Sequence, residues 1–485
     1  MTLSRALLVG LGVLVALAAW PRSLHDVAWP DEYIYLAGAR NIVERGSLNT
    51  QYYLANSLLV RGYPHRDVHM PGYILALAPL VKLFGATLQA AAALNVFLFL
   101  VSILLVHALA RRLLETEEAA ILSAALFAIA PPTAGYLFIA YSELLTTFAL
   151  LLAVFLSARA TGSAGAFVAG AVFGLGALVR ETLLVALPVH FALLPRRAFW
   201  RSFLPGMLAS LLLCVAPLAR DRAVHPNAIY PSVLEDARRS NTPLATLAAA
   251  LGRNALQNLH DVAEANPIGN TEDRALFVLL LLAAVGIVSL RRLPPAPRRL
   301  AWGTFAALVA LSLAVLFLYV VRVRGGVWGG VRAYMAFVPL LVILCAGALR
   351  GLGRGVRAIA AGVLLFLFWA TAKDQLYLFA RFKGQNLEDD GRYSRTVADE
   401  IGRSAPRRIA GRLFRYGLEH YPTEIIWSLP RDYPELVALE KAVAYDYLVI
   451  PPNSALRLFL IRNPRYLRVN RDDKGAELLI FRRLD

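Results

Sequence analysis

The sequence predicts a mainly α-helical, polytopic membrane protein with a small C-terminal α/β domain. Three observations carry that prediction. The chain has 485 residues, of which 58% are hydrophobic and only 17% charged, and its mean hydropathy is +0.56, too apolar for a soluble protein of this length. Apolar runs of membrane-spanning length alternate with short loops that collect arginine, the pattern expected where cytoplasmic loops hold the positive charge. The last 110 residues or so lose this character and alternate short strand-like and helix-like stretches.

The charge balance needs a partner or a reason. Fifty basic residues against 33 acidic ones give a formal net charge of +17, which on a soluble protein suggests nucleic acid. Here most of the bases sit at the ends of apolar runs, so orientation in a bilayer accounts for them and no nucleic-acid partner is expected. Nearly all are Arg; Lys82, Lys373, Lys383, Lys441 and Lys474 are the only lysines. Cys214 and Cys345 both lie within apolar runs and read as small core residues. No CxxC or zinc pattern is present, so no cofactor is expected and no metal is assigned; a divalent-metal requirement stays open.

Each element follows in order. Arg5 before the run Ala6–Trp20 puts the N-terminus inside, either as an anchor or, through Ala16-Leu17-Ala18, as a cleavable signal; the anchor reading holds the following loop at a fixed depth. Pro71–Gly85, with Pro79 and Lys82 inside it, is too short to cross easily and reads as a surface helix. If it does not cross, Thr87–Ala110 runs inward and Arg111-Arg112 reaches the cytoplasm. Further spans are expected near Ala119–Ile139, Leu144–Ser157, Ala164–Val179, Thr182–Leu194, Phe203–Leu218, Ala275–Leu290, Ala301–Val321, Val331–Leu349 and Ala358–Ala372, for about eleven in all. This alternation places Arg159, Arg196-Arg197, Arg291–Arg299 and Arg350–Arg357 inside. A membrane domain over 1–375, with outer loops 21–85 and 219–274, and an extracytoplasmic domain over 376–485 are the expected division. In the latter, VADEIGRS, PELVALEKAVAY and ALRLFLIRNP read as helices, RRIAGRLF and DYLVIPP as strands, and YLRVNRDDKGAELLIFRRL as a hairpin.

Chemistry-bearing residues gather at the outer ends. WPDEYIYLAGARNIVERG begins with two adjacent carboxylates: Asp31 after Pro30 suits an N-cap, Glu32 then lies in the first turn, and Gly46 stops the helix. The same stretch carries Tyr33, Ile34, Tyr35 and Leu36, so it reads as an interfacial helix with its acidic end near the membrane surface. Capping alone explains the pair; a general base able to meet both water-borne and lipid-borne substrates explains it too. Arg322, Arg324 and Arg332 flank the short outer loop RVRGGVWGGVRAY against the usual charge bias, which favours an anionic partner, although anchoring of helix ends is the plain alternative.

The run PDEYIYLAGARNIVERG, followed by HMPGYILALAPLVKLFG, resembles the first outer loop of the GT-C superfamily of integral membrane glycosyltransferases. The nearest branch holds the protein O-mannosyltransferases and lipid A aminoarabinose transferases. YSELLTTFALLLAVF resembles that branch's acidic residue at the mouth of a later span, falling on Glu143. GLGALVRETLLVALP resembles its Leu-Thr-Lys-Gly segment, with Arg180 in the Lys position. VRAYMAFVP resembles its Arg-Tyr and Pro motif at Arg332, Tyr334 and Pro339. The chain departs from the pattern before the second surface helix, where His69-Met70-Pro71 stands in place of a segment that usually carries Lys.

The resemblance implies a GT-C-like fold and an inverting glycosyltransferase in the plasma membrane, multi-pass, with its active site facing outside the cytoplasm. It implies transfer of a sugar from a polyprenyl-phosphate carrier to an acceptor hydroxyl on protein, lipid or glycan. Asp31 becomes the candidate base, with Glu32 beside it. Arg180 becomes the candidate ligand of the leaving phosphate, an ionisable residue in an apolar stretch being a functional suspect. His69, Glu143, Arg322, Arg324, Arg332 and Tyr334 complete the expected substrate site. A polysaccharide polymerase, an oligosaccharide transferase, or a transporter of lipid-linked sugars are the alternatives; transport would call for charges at mid-membrane rather than at the outer ends.

Overall fold

A computed structural model describes residues 3–19, 30–46, 52–54, 65–66, 71–130, 133, 136–213, 295–322, 335–350, 352–366, 369, 397, 401, 408–411, 424–427, 433–442, 444–450, 454–469 and 479–484. The chain divides into two compact units, one built from Met1–Pro21, Ala92–Ala216 and Pro231–Phe379, the other from Arg22–Ala91, Pro217–Tyr230 and Ala380–Asp485.

The first unit is helical. Helix α1 spans Leu3–Ala18; the next two helices, α2 over Pro30–Arg45 and α3 over Pro71–Phe84, belong to the other unit. Helix α4 spans Leu88–Leu114, 27 residues or about 40 Å, and among the described residues it alone is long and apolar enough to cross a membrane. Helix α5, Glu117–Ala128, follows, then α6 over Glu143–Arg159 and α7 over Ser163–Val179. A 3-10 turn, Glu181–Ala186, leads into α8, Leu187–Leu193. A π-helical turn at Phe199–Phe203 opens α9, 204–213. Helices α10, Pro295–Arg322, α11, Val338–Arg350, and α12, 354–366, follow among the described residues of the unit.

Two expectations change here. The run Ala119–Ile139 does not form one helix: α5 ends at Ala128, because Pro131 and Pro132 remove two amide donors just beyond and bias the residue before them away from helix. The run Thr182–Leu194 likewise opens in 3-10 geometry before turning α-helical. The expected span Ala275–Leu290 and the loop 219–274 lie outside the described residues.

Helix α7 packs on α6 and on the Phe199–Phe203 turn. The second contact is possible because a Cβ on Gly170 would collide with the Phe203 carbonyl, and one on Gly206 with the Phe167 carbonyl. Small residues at such crossings let backbones touch, which is how helices associate where no hydrophobic effect separates lipid from side chain. Deep in this packing the His190 ring stacks on Phe203 at 4.7 Å and meets Phe173 edge-on at 4.6 Å, with Nδ1 2.9 Å from the Ser157 hydroxyl.

Among the described residues the second unit holds four helices and a sheet. Helix α2, Pro30–Arg45, comes from the first loop. Gly46 ends it at φ 64°, the left-handed conformation that glycine adopts without a Cβ penalty, and its amide bonds the Ile42 carbonyl at 3.0 Å. Helix α3, Pro71–Phe84, has 14 residues, about 21 Å, short of the ~30 Å hydrocarbon core. It buries Tyr73, Ile74, Leu77, Ala78 and Val81 and exposes Leu75, Leu83 and Phe84, so the apolar helix has one packed face and one free apolar face. The packed face meets α2, where Tyr35 and Tyr73 make an edge-to-face pair with centroids 4.8 Å apart.

The sheet has seven strands in the order β2-β1-β4-β3-β5-β7-β6. They are β1, Tyr52–Leu54; β2, His65–Arg66; β3, Arg408–Ala410; β4, Glu424–Trp427; β5, Tyr447–Ile450; β6, Tyr466–Arg468; and β7, Leu479–Arg483. Strands β1, β4, β3 and β5 run parallel, while β5 with β7 and β7 with β6 are antiparallel. All four residues of β5 are buried, as a central strand covered on both faces requires. Helices α13, Tyr433–Ala442, and α14, Arg457–Arg462, flank it. The expected strands near Arg408 and Tyr447, the two helices and the closing hairpin all form. The sheet also takes in β4 and, from the first loop, β1 and β2, none of which the sequence reading anticipated; of VADEIGRS only Val397 and Ile401 are described.

Candidate functional site

Glu143 is the first residue of α6, where aligned peptide dipoles favour a negative charge. Its side chain is 1% exposed, and a carboxylate that deep needs a counter-charge to stay ionised. The chain supplies one from the next helix. Helix α7 ends at Val179 and Arg180 adopts an extended conformation, φ −156° and ψ 120°, its amide still bonded to the Gly176 carbonyl at 3.1 Å and its carbonyl accepting from the Leu183 amide at 3.0 Å. That break between α7 and the 3-10 turn swings the Arg180 side chain toward α6. Nη1 donates to Glu143 Oε1 at 2.6 Å, and the guanidinium side keeps 23% of its surface exposed.

The two residues assigned separately from sequence are therefore one ion pair. Arg180 meets Glu143, not its neighbour Glu181, and Glu143 is engaged with a guanidinium rather than capping from Ser142, whose side chain makes no cap bond. A guanidinium carries five N–H donors in a planar fork. One edge can hold a carboxylate while another addresses a phosphate.

The segment leading into α6 is non-helical over 136–142. It is held by a residue that the sequence reading passed over. Asn95 of α4 is fully buried, and its Nδ2 donates to the Ile139 carbonyl at 2.7 Å and the Tyr136 carbonyl at 3.3 Å. The signal available in sequence was a lone amide side chain within LQAAAALNVFLFLV.

The first-loop helix carries the other candidate residues. It opens at Pro30, a residue suited to the first helical position because it has no amide to leave unsatisfied. Asp31 is therefore inside the first turn rather than the N-cap that the sequence suggested. Glu32 lies beside it, 0% exposed. Protein covers the face that the sequence reading assigned to the interface: Tyr33, Ile34, Tyr35, Leu36, Ala37 and Ala39 are all buried, and solvent is met from Arg40 onward. Burial of every residue from Glu32 to Ala39 means that protein surrounds this part of the helix.

Arg322 is the last residue of α10. His69, Arg324, Arg332 and Tyr334 lie outside the described residues, so the structure brings together Glu143 and Arg180 among the expected substrate residues.

Residues 68–219 match the family model for dolichyl-phosphate-mannose-protein mannosyltransferase. No curated protein matches the chain. Among solved structures, ArnT from Cupriavidus metallidurans bound to undecaprenyl phosphate is similar with a TM-score of 0.60 and 14% identity, covering 98% of this chain and 97% of that one. Its apo state is similar to the same extent, with a TM-score of 0.60 and 13% identity. The oligosaccharyltransferase AglB from Archaeoglobus fulgidus, in complex with an inhibitory peptide and a dolichol-phosphate, has a TM-score of 0.51 and 13% identity over 94% of this chain and 70% of that one. At such identities these likenesses speak for the fold, which is mainly helical and GT-C-like. Together with the match over residues 68–219, a fold similar to that of ArnT agrees with the resemblance to GT-C glycosyltransferases read from the sequence: this stretch is similar to the dolichyl-phosphate-mannose-protein mannosyltransferase family.

Proposed function

We propose that the chain moves a sugar from a polyprenyl-phosphate carrier to an acceptor hydroxyl, with inversion at the anomeric carbon, and that the Glu143–Arg180 pair receives the departing phosphate. The observation that carries this reading is the 2.6 Å contact between a buried carboxylate and a partly exposed guanidinium at a helix break. As the C1–O(phosphate) bond breaks, its electron pair passes to the phosphate, which leaves as polyprenyl phosphate with an added negative charge. A guanidinium already oriented there stabilises that charge without having to reorganise, and removing one such donor typically costs about 10²–10³ in turnover. Two of the similar solved structures hold a polyprenyl-type phosphate, which supports a lipid-linked donor.

The acceptor hydroxyl must lose its proton as its oxygen attacks C1. Asp31, in the first turn of α2 and next to Glu32, is the proposed base. Asp31→Asn keeps the shape, gives up a charge–dipole interaction of about 0.3–1 kcal/mol, and is expected to abolish transfer while thermal stability stays close to wild type. Wild-type turnover in that variant would remove Asp31 from the mechanism.

The placement of arginine clusters favours a plasma-membrane protein whose site and C-terminal domain face away from the cytoplasm. A reporter fused after Arg381 is expected to read as extracytoplasmic. A cytoplasmic reading would reverse this orientation.

A further inference from the structure

We propose that Asn95 is a positioning residue for the phosphate site: its carboxamide holds the non-helical segment that sets the place of Glu143, and through Glu143 that of Arg180. The proposal rests on the reading of Arg180 as the phosphate ligand.

The geometry begins in α4. Asn95 lies seven residues into a helix that starts at Leu88, about 10 Å along its axis, and it is 0% exposed. An amide side chain in an apolar helix is costly to bury without partners. Here its NH2 group has two donors and finds two backbone carbonyls, those of Tyr136 and Ile139. Two carbonyls on the same nitrogen fix which end of the amide faces them, because the oxygen end would be repelled by both.

What Asn95 holds matters for the site. Residues 136–142 make a turn between α5 and α6, and the Tyr136 and Tyr141 rings pack within it at 5.9 Å. The backbone there is not helical although residues 136–140 are buried, and irregular backbone away from water persists only where protein groups satisfy it. The Ile139 carbonyl that Asn95 binds also lies in a tight turn, since the Tyr141 amide donates to it at 2.8 Å. Immediately after Tyr141, the Ser142 carbonyl accepts from the Thr146 amide at 2.9 Å and the Thr146 hydroxyl at 2.8 Å, starting α6 and fixing Glu143 at its first position. Asn95 thus anchors one end of a short connection whose other end is the carboxylate that orients Arg180.

The test uses the full-length protein in lipid nanodiscs and undecaprenyl phosphate as the probe. Asn95→Leu, of similar volume but without donors, is expected to weaken binding of undecaprenyl phosphate by about tenfold, the scale of a small misplacement of a positioned group. Asn95→Gln, which retains the amide, is expected to recover at least half of that loss. In an Arg180→Ala background, where the lipid tail still supplies measurable affinity, Asn95→Leu is expected to add no further loss, because the two act on one contact. Wild-type affinity in Asn95→Leu, or an equal loss with and without Arg180, would overturn the proposal. If Asn95→Leu does not fold, Asn95→Ser, which keeps one donor, carries the same comparison with a smaller expected loss, and wild-type affinity there overturns it as well. Wild-type affinity in Arg180→Ala would instead strike the phosphate reading itself, and this proposal with it.

Discussion

Two glutamates open helices in the same unit and face arginines, yet their surroundings differ. Glu117 begins α5 with a side chain 42% exposed. Its Oε1 accepts from the Ser4 hydroxyl at 2.9 Å and lies 3.0 Å from His107 Nε2, and its Oε2 is 3.4 Å from Arg111 Nη1. These partners come from α1 and α4, so Glu117 ties three helices together at one end of the bundle. Glu143 begins α6 at 1% exposure and meets Arg180, whose backbone has left the helix to reach it. Helix starts favour carboxylates wherever they occur, so residue type and position alone do not separate a tie from a site. Burial does, together with what the cation must do to arrive.

The comparison can be broken by neutralising each carboxylate in turn. Glu143→Gln removes the charge that orients Arg180 and is expected to lower turnover by about tenfold. Glu117→Gln is expected to leave turnover per folded molecule unchanged and to lower the Tm by about 1–2 °C, the scale of a partly exposed ion pair worth up to about 1 kcal/mol. Equal effects of the two on turnover would erase the distinction.

A smaller effect sharpens it. The Ser4 hydroxyl first, then the bond to His107 and the nearby charges of His107 and Arg111, hold the Glu117 carboxyl below its ordinary 4.5. A depressed folded-state pKa means that this contribution to stability is present above the unfolded value and fades as pH falls through the folded one. Wild-type Tm is therefore expected to lose its advantage over Glu117→Gln below about pH 4.5. A gap that persists undiminished into stronger acid would contradict the ion-paired account of Glu117.

Local features of this chain were legible and long-range ones were not. Gly46 as the stop of the first-loop helix, and the short helix of 14 residues after Met70, follow from backbone freedom and length. The buried run of β5 and the closing hairpin follow from patterning, and all are seen. Asp31 as a cap was misread because Pro30 can itself begin a helix. The expected span through Ile139 overlooked the effect of Pro131-Pro132 on an otherwise apolar run. Strands β1 and β2 are too short to signal themselves, and form by pairing with a strand far along the chain. Glu143 and Arg180 were each legible as acid and base near helix ends, but 37 residues separate them. Their contact exists only because α6 and α7 pack side by side. Asn95 is a still clearer case, since an amide that serves backbone 41 and 44 residues away has no local pattern to announce it.

The central claim is that Arg180 acts on the phosphate of a lipid-linked sugar. It is tested most directly by purified protein in liposomes loaded with polyprenyl-phosphate sugars extracted from host membranes, following release of free polyprenyl phosphate by mass spectrometry. Wild type and Arg111→Ala are expected to release it at rates within about twofold of each other, and Arg180→Ala at least about 100-fold more slowly. Release by Arg180→Ala at the wild-type rate would contradict the account.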